Sequence, residues 1–318
     1  MRHIFIINPA AGKNSPARGL IPAIKAAFFE RNDDYEIYET RGHRDAIGFV
    51  RDSCARYQNQ PLRFYACGGD GTVNEVVNAM ADYPHASFGV VPCGSGNDFI
   101  KSVPGNANFL SIEAQLAGHE QPIDLMKVND RYCVNLSNIG FDADVAANME
   151  RFKTLPLVTG KAAYNLSILY CFFSKMGNHL KVVVDGSRTL TSNFLLMVAA
   201  NGGFYGGAYR GAPAAKIDDG LIDLCAVHKI SRFQIAKLIA AYKAGKHVDN
   251  PAFANIVEYY KCQRIEVFAD RPVSLCIDGE CFYDSHIVFE LEPNRVLFSL
   301  PAPVSKQDDP ASARLAKV

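Results

Sequence analysis

Two stretches place glycines and an aspartate where a strand-like run hands over to a helix-like one: CGGDGTVNEVVNAM, Cys67 to Met80, and SFGVVPCGSGNDFIKS, Ser87 to Ser102. A strand, a glycine turn and a helix start together present backbone N–H groups, which is phosphate-binding chemistry. An aspartate in such a turn repels phosphate unless a cation lies between them, and Mg²⁺ on a nucleotide is the usual such cation. Asp70 and Asp98 are thus candidate metal partners. On the residues alone a second reading stands beside this one, because Asp is a common turn former and Asp98 can simply start a helix.

Neither turn is a familiar nucleotide box. None of the three GK pairs is followed by Ser or Thr, and the first, Gly12-Lys13 before Asn14, also lacks the upstream glycine of a Walker A loop. The dinucleotide fingerprint also fails, since Asn74 falls where the third glycine should be. A third acidic candidate, Glu280, follows Asp278-Gly279, a hairpin signal between the strand-like runs VSLCI and CFYDSHIVF. By itself Glu280 reads as a solvated turn residue.

The elements that must hold these groups follow from the patterning. Strand-like IFIIN, YEIYET, RFYACGG and SFGVVPCG alternate with helix-like runs at Ala17 to Arg31, Arg44 to Tyr57 and Thr72 to Met80. That alternation predicts an α/β domain over residues 1–125 with a largely parallel sheet, its ligand sites beyond the carboxyl ends of the strands. Thr72 and Glu75 read as a T-x-x-E capping box, and Val73, Val76, Val77 and Met80 as one apolar face. From about Pro122 the texture turns β-rich, which predicts a sandwich or barrel over residues 126–300. One helix interrupts it, with Ser231 as N-cap and Ile235, Leu238, Ile239 and Tyr242 at helical spacing. The tail, 301–318, is polar and proline-punctuated; it reads as disordered or as an extended return to the first domain.

Composition narrows the function classes. A hydrophobic share of 48%, a charged share of 21% and a formal net charge of +0 fit a soluble enzyme and not a general nucleic-acid binder, which needs a basic surplus. The chain passes from Met1-Arg2-His3 straight into Ile4 to Ile7, too short a run for a signal-peptide core, and no apolar run approaches bilayer length. The expectation is a cytoplasmic protein whose membrane contact is peripheral. Nine cysteines without a CxxC pair, several of them inside strand-like runs, predict buried reduced thiols and not disulfides or zinc.

GGDGTVNEVV together with PCGSGNDF, preceded by INPAAGK and followed in order by ANGGFYGGAYRGAPAAKIDDGLIDL and IDGE, resembles the diacylglycerol kinase catalytic family, which includes bacterial lipid kinases and the sphingosine and ceramide kinases. The resemblance spans roughly Ile4 to Leu300. It implies an α/β first domain similar to NAD kinases and phosphofructokinases, a β-sandwich second domain, and ATP bound in the cleft between them. Carried onto this sequence, Asn8, Pro9, Ala10, Ala11, Gly12 and Thr40 contact the nucleotide, Gly69, Asp70, Gly71, Thr72, Val73, Asn74 and Glu75 cradle its phosphates, and Ser95 adds a hydroxyl. Ala11 stands where the family often has Ser.

The same resemblance implies a water-linked acidic network of Asp70, Asp98 and Glu280 around catalytic Mg²⁺, with Glu280 as general base. KIDDGLID resembles the family's second, structural Mg²⁺ loop, with Lys216 and Leu221 as backbone ligands and Asp219 as the carboxylate. The expected activity is ATP- and Mg²⁺-dependent phosphorylation of a lipid hydroxyl, diacylglycerol by default, by a protein peripheral at the inner face of the membrane. A kinase of a soluble alcohol, NAD kinase being the nearest through GGDGT, and a non-catalytic lipid- or nucleotide-binding regulator are the alternatives. The segment Ala162 to Lys175 is a candidate lipid-facing element or a core helix, and oligomeric state stays open, a homodimer included.

Overall fold

The computed structural model describes residues 1–12, 17–29, 31, 33–105, 107–154, 166–167, 170–171, 176–207 and 209–303. It divides into two compact units, the first formed by Met1–Asp124 with the chain from Pro293 onward, the second by Leu125–Glu292.

In the first unit, β1 (Arg2–Ile7), β2 (Asp34–Glu39), β3 (Leu62–Gly68) and β4 (Ala86–Pro92) form a parallel sheet in the order β2-β1-β3-β4. All seven residues of β3 are buried and Ile4 to Ile7 are sealed from solvent, as expected of parallel strands covered on both faces. The crossovers are α1 (Leu20–Ala27), α2 (Asp45–Arg56) and α3 (Asp70–Met80). Leu20 and Ile24 of α1 pack on Phe5 and Ile7, while α3 buries Val73, Val76, Val77 and Met80. Short helices α4 (Asp98–Lys101) and α5 (Ile112–Leu116) follow. The strand order reverses direction between β1 and β3, the switch point where open α/β sheets bind ligands.

The second unit is antiparallel. Its strands are β6 (Arg131–Cys133), β7 (Leu136–Gly140), β8 (Asn178–Val184), β9 (Arg188–Ala200), β10 (Ile222–His228), β11 (Val257–Cys262) and β12 (Arg264–Ile277). Both β9 and β12 are long enough to pair with β8 through one half and β7 through the other, the device by which strands turn the corner of a sandwich. Met126, Val182, Phe194, Met197, Leu224, Ile265 and Phe289 fill the core. Helix α6 (Phe141–Lys153) interrupts the strands, as does α7 (Arg232–Lys243). The capping box Ser231–Gln234 opens α7, and Ile235, Leu238 and Tyr242 are buried as the spacing predicts. Ile239 is not; it stands 47% exposed.

The chain passes between units inside β5 (His119–Val128) and β13 (Glu280–Leu300). The second domain was expected to run to residue 300, and it ends at Glu292. The reason is that the far half of β13 joins the first unit's sheet, Leu297 opposite Ser87 and Phe298 opposite Phe88, and Phe298 packs against Phe88, Phe99 and Phe109. Asp124 accepts a 2.8 Å hydrogen bond from the Asn294 N–H, fixing this return. Most of Ala162 to Lys175, and the tail from residue 304, lie outside the described residues. All nine cysteines are free thiols, eight of them buried.

Candidate active site

The two glycine turns leave β3 and β4 side by side, because these strands are parallel neighbours with Gly68 opposite Pro92. The N–H groups of Cys93 and Gly94 both donate to the Gly68 carbonyl, at 2.8 and 3.2 Å. The turns then touch backbone to backbone: a Cβ on Gly94 would fall 2.4 Å from Gly69 Cα, which no side chain can tolerate. Asn97, in the left-handed region at φ 50, closes its turn by accepting from the Gly94 N–H at 3.0 Å and donating to the Gly94 carbonyl at 2.9 Å.

Asp70 links the two turns. Its Oδ1 accepts the backbone N–H groups of Asp98 (2.6 Å) and Phe99 (3.1 Å), so it caps α4 from across the gap. A Cβ on Gly96 would lie 2.8 Å from Asp70 Oδ2 and 3.3 Å from Asp98 Oδ2; the glycine clears one spot that both carboxylates line. Asp98 is buried and its Oδ1 accepts from Lys101 Nζ at 2.7 Å. Hard carboxylate oxygens suit Mg²⁺. The residues present therefore fit a divalent ion. Gly71, by contrast, has nothing within 4 Å of its would-be Cβ, so neither packing nor backbone geometry demands glycine there. Open space over the first turn of a helix leaves room for a phosphate.

Across the switch point, Asn8 follows β1 and donates from Nδ2 to Thr72 Oγ1 at 3.1 Å, while its Oδ1 accepts from the Ala10 N–H at 3.0 Å. Thr40, at the end of β2, donates its N–H to the Ile7 carbonyl at 2.8 Å. Ala10, Gly12, Gly71 and Ser95 are exposed, Pro9 and Asn74 half-buried, and the side chains of Ala11 and Val73 face the core. Residues from the ends of four strands thus gather at one edge of the first unit.

The predicted Thr72–Glu75 capping box is not formed. The N-cap of α3 is Gly69, whose carbonyl takes the N–H groups of Thr72 and Val73. Glu75 instead accepts from the Arg44 N–H at 2.8 Å, with His43 at 3.6 Å, bracing the start of α2. The long-range partners win because Thr72 Oγ1 and Glu75 are both engaged across the sheet edge.

Glu280 belongs to the other unit. It opens β13 after a two-residue turn in which Asp278 (φ 46) and Gly279 (φ 93) are both left-handed, with Ile277 opposite Glu280. Asp278 anchors that hairpin: its carboxylate accepts the N–H groups of Val134, Asn135 and Leu136 at 2.7, 3.0 and 3.2 Å. The turn that carries Glu280 is thus bolted to the strand start of β7.

The family model for the diacylglycerol kinase catalytic domain matches residues 2–128, and that for the YegS C-terminal NAD kinase beta sandwich-like domain matches residues 136–298, half of the chain. This chain belongs to the diacylglycerol kinase catalytic family. Its curated relatives include the diacylglycerol kinases of Staphylococcus carnosus, 26% identical over 87% of each chain, and of Staphylococcus aureus strain MRSA252, 28% identical over 87% of this chain and 85% of that one. A putative diacylglycerol kinase from Bacillus anthracis shares the fold at a TM-score of 0.71, with 22% identity and 98% of each chain covered. An NAD kinase from Archaeoglobus fulgidus in complex with ATP shares it more distantly, at 0.50 and 12% identity over 95% of this chain and 94% of that one. As a member of the family the chain is a lipid kinase.

In the loop that resembles the family's structural Mg²⁺ site, Lys216, Asp219 and Leu221, the Asp219 carboxylate is engaged within the protein. Asp219 Oδ1 accepts from the Leu221 N–H at 3.2 Å, and its Oδ2 takes the Lys261 ammonium at 2.9 Å. The same ammonium reaches Asp223 Oδ2 at 2.8 Å and the Ala214 carbonyl at 3.2 Å. Asp223 has a fully buried side chain that also accepts from Tyr259 at 2.6 Å. The loop already holds a cation of its own.

Two features of this kinase escaped sequence reasoning. Asp278 was noticed only as a turn former, although Asp before Gly at a hairpin is also where a side chain can reach back to a neighbouring strand. The second is a half-buried polar cluster at the NGGFYGG box: Tyr205 donates to Asp142 and lies 3.3 Å from the Tyr242 hydroxyl. Burial pushes the Asp142 carboxyl up to about 6. Asp142 and Asp144 in the first turn of α6 were the available signal for that unpredicted helix.

Proposed function

We propose that this lipid kinase uses ATP and Mg²⁺ to phosphorylate a lipid hydroxyl, diacylglycerol first among the candidates, giving phosphatidic acid. The observation that carries the reading is the spot cleared by Gly96 and lined by Asp70 and Asp98, beside the open first turn of α3. The names of the curated relatives support the acceptor.

In this reading the turn at Gly69–Gly71 and the start of α3 hold the phosphates, with Asn8 fixing Thr72 against the end of β1. Asp70 and Asp98 hold the metal ion, which supplies neutralisation of phosphate charge. Glu280 takes the proton from the lipid hydroxyl as that oxygen bonds to the γ-phosphorus; the bond from phosphorus to the β–γ bridging oxygen breaks, and ADP leaves with its electron pair. The protein works at the cytoplasmic face of the membrane. In the test, purified protein is incubated with γ-labelled ATP, Mg²⁺ and mixed micelles of bacterial lipids, and the label is partitioned between organic and aqueous phases. Label in a lipid spot, absent with Glu280→Ala, is the expected result. Label confined to a water-soluble product overturns the acceptor class and favours a soluble-alcohol kinase.

A further inference from the structure

Helix α7 presents a face that neither the fold nor the proposed chemistry uses. Its buried side, Ile235, Leu238 and Tyr242, packs on Leu196, Cys225 and Val227. At about 100° per residue the opposite pole is formed by Phe233, Ala236 and Ala240. Phe233 is 88% exposed and Ile239, on the flank, 47% exposed. A phenylalanine held this exposed on a well-capped helix is an apolar group left open to solvent among the described residues.

Along the chain through this helix the charges are of one sign. Between Asp223 and Asp249 the sequence contains Lys229, Arg232, Lys237, Lys243 and Lys246 and no Asp or Glu, although the whole chain balances to a formal net charge of +0. All five are exposed. Arg210 adds a sixth exposed cation, its Cδ lying 2.7 Å from the would-be Cβ of Gly245, just past the helix end. Apolar residues at the pole of a helix with Lys and Arg along its sides make the pattern of an in-plane interfacial helix, where the ring enters the acyl boundary and the cations meet headgroups.

We propose that α7 docks this protein on an anionic bilayer, with Phe233 entering the interface and Lys237 and Lys243 pairing with lipid phosphates. Charge complementarity decides the occupant: a helix with basic residues and no Asp or Glu of its own repels a second copy of itself and attracts an anionic lipid surface. The inference rests on the lipid-kinase reading for its purpose, since an acceptor that stays in a membrane must be met there, but its observable needs no ATP.

The experiment sediments the full chain with vesicles of phosphatidylcholine containing or lacking phosphatidylglycerol, at low and high salt. Binding is expected only to the anionic vesicles and falls at high salt. Lys237→Gln with Lys243→Gln is expected to weaken it more than tenfold, at roughly fivefold per cation, and Phe233→Ser severalfold at either salt. Melting temperatures and turnover of a monodisperse short-chain diacylglycerol should match those of the unaltered protein. Variants that bind anionic vesicles as well as the parent overturn the proposal, as does a change from dimer to monomer in light scattering without loss of vesicle binding. Retained, α7-dependent binding by a protein that transfers no phosphate would overturn the kinase reading and leave the docking surface standing.

Discussion

Two aspartate pairs among the described residues, one in each unit, have opposite fates. Asp70 and Asp98 direct one oxygen each at a spot cleared by Gly96, and their other oxygens take backbone N–H groups and Lys101. Asp219 and Asp223 are bridged by a single ammonium from Lys261. Both loops were expected to bind metal, the first from its aspartates in glycine turns and the second because KIDDGLID resembles the family's Mg²⁺ loop. The difference is that one ammonium bridges both carboxylates of the second pair, whereas in the first Lys101 meets Asp98 and backbone N–H groups meet Asp70. The bridged pair is read as a structural fastening; where glycine leaves room beside both carboxylates, the pair can hold a metal ion.

Removing charge from each pair separates these roles most sharply. Asp70→Asn keeps an Oδ1 acceptor for the Asp98 and Phe99 N–H groups, so the melting temperature should stay within a few degrees while phosphoryl transfer drops by about 10²–10³-fold. Asp219→Asn should leave turnover within about twofold, and a turnover collapse in it would erase the distinction. In the second unit, Lys261→Met strands Asp223, whose side chain is fully buried, and urea unfolding should report a loss of about 2–3 kcal/mol. Mn²⁺ should then stabilise this variant and not the parent. A parent protein whose melting temperature falls on chelation contradicts the fastening.

The glycines give a second contrast. Gly94→Ala forces a Cβ to within 2.4 Å of Gly69 Cα and should cost about 2–4 kcal/mol by chemical denaturation. Gly71→Ala meets open space and should change stability by no more than about 0.5 kcal/mol, yet raise the KM for ATP severalfold. Equal stability of the two variants would mean the turns do not touch.

The smallest effect is a difference in acid response. Burial, aided by nearby Arg63, pushes His3 of the first unit down to about 4, and burial does the same to His247 of the second. Each folded site binds its proton less well than the unfolded chain, so stability is present above the ordinary histidine range and is lost as pH falls from about 6.5 toward about 4. The slope is about 1.4 kcal/mol per pH unit per proton. Asp142, raised to about 6, has the opposite sign: its folded form holds a proton the unfolded chain releases, so it gains stability as pH falls through about 6 and offsets His247. Hydrogen exchange at pH 7 and pH 4.5 should therefore show the first unit loosening more than the second, and His3→Gln should flatten that response. Uniform loosening would refute the offset.

What was legible in the sequence was local. The strand, glycine turn and helix order around Gly69 and Gly94 is written in adjacent residues, and so is the capping box of Ser231 and Gln234. What was not legible depends on partners far along the chain. Asp70 receives N–H groups 28 and 29 residues away, Glu75 is claimed by Arg44 at 31, and Lys261 reaches Asp219 across 42. Periodicity could not distinguish the flank position of Ile239 from the buried face of α7, because one helical step separates them. The return of β13 to the first unit was hidden for the same reason: its two halves look alike, and only the pairing of Leu297 and Phe298 with β4 divides them.

The central claim is that the paired turns hold the Mg²⁺ and phosphates of ATP, and backbone amide NMR of the deuterated protein tests it directly. Addition of Mg²⁺ with a non-hydrolysable ATP analogue should shift the amides of Gly69 to Thr72 and Gly94 to Phe99, with no such shifts in Asp70→Asn. Amides that stay still at both turns while others respond would place the nucleotide elsewhere and contradict the assignment.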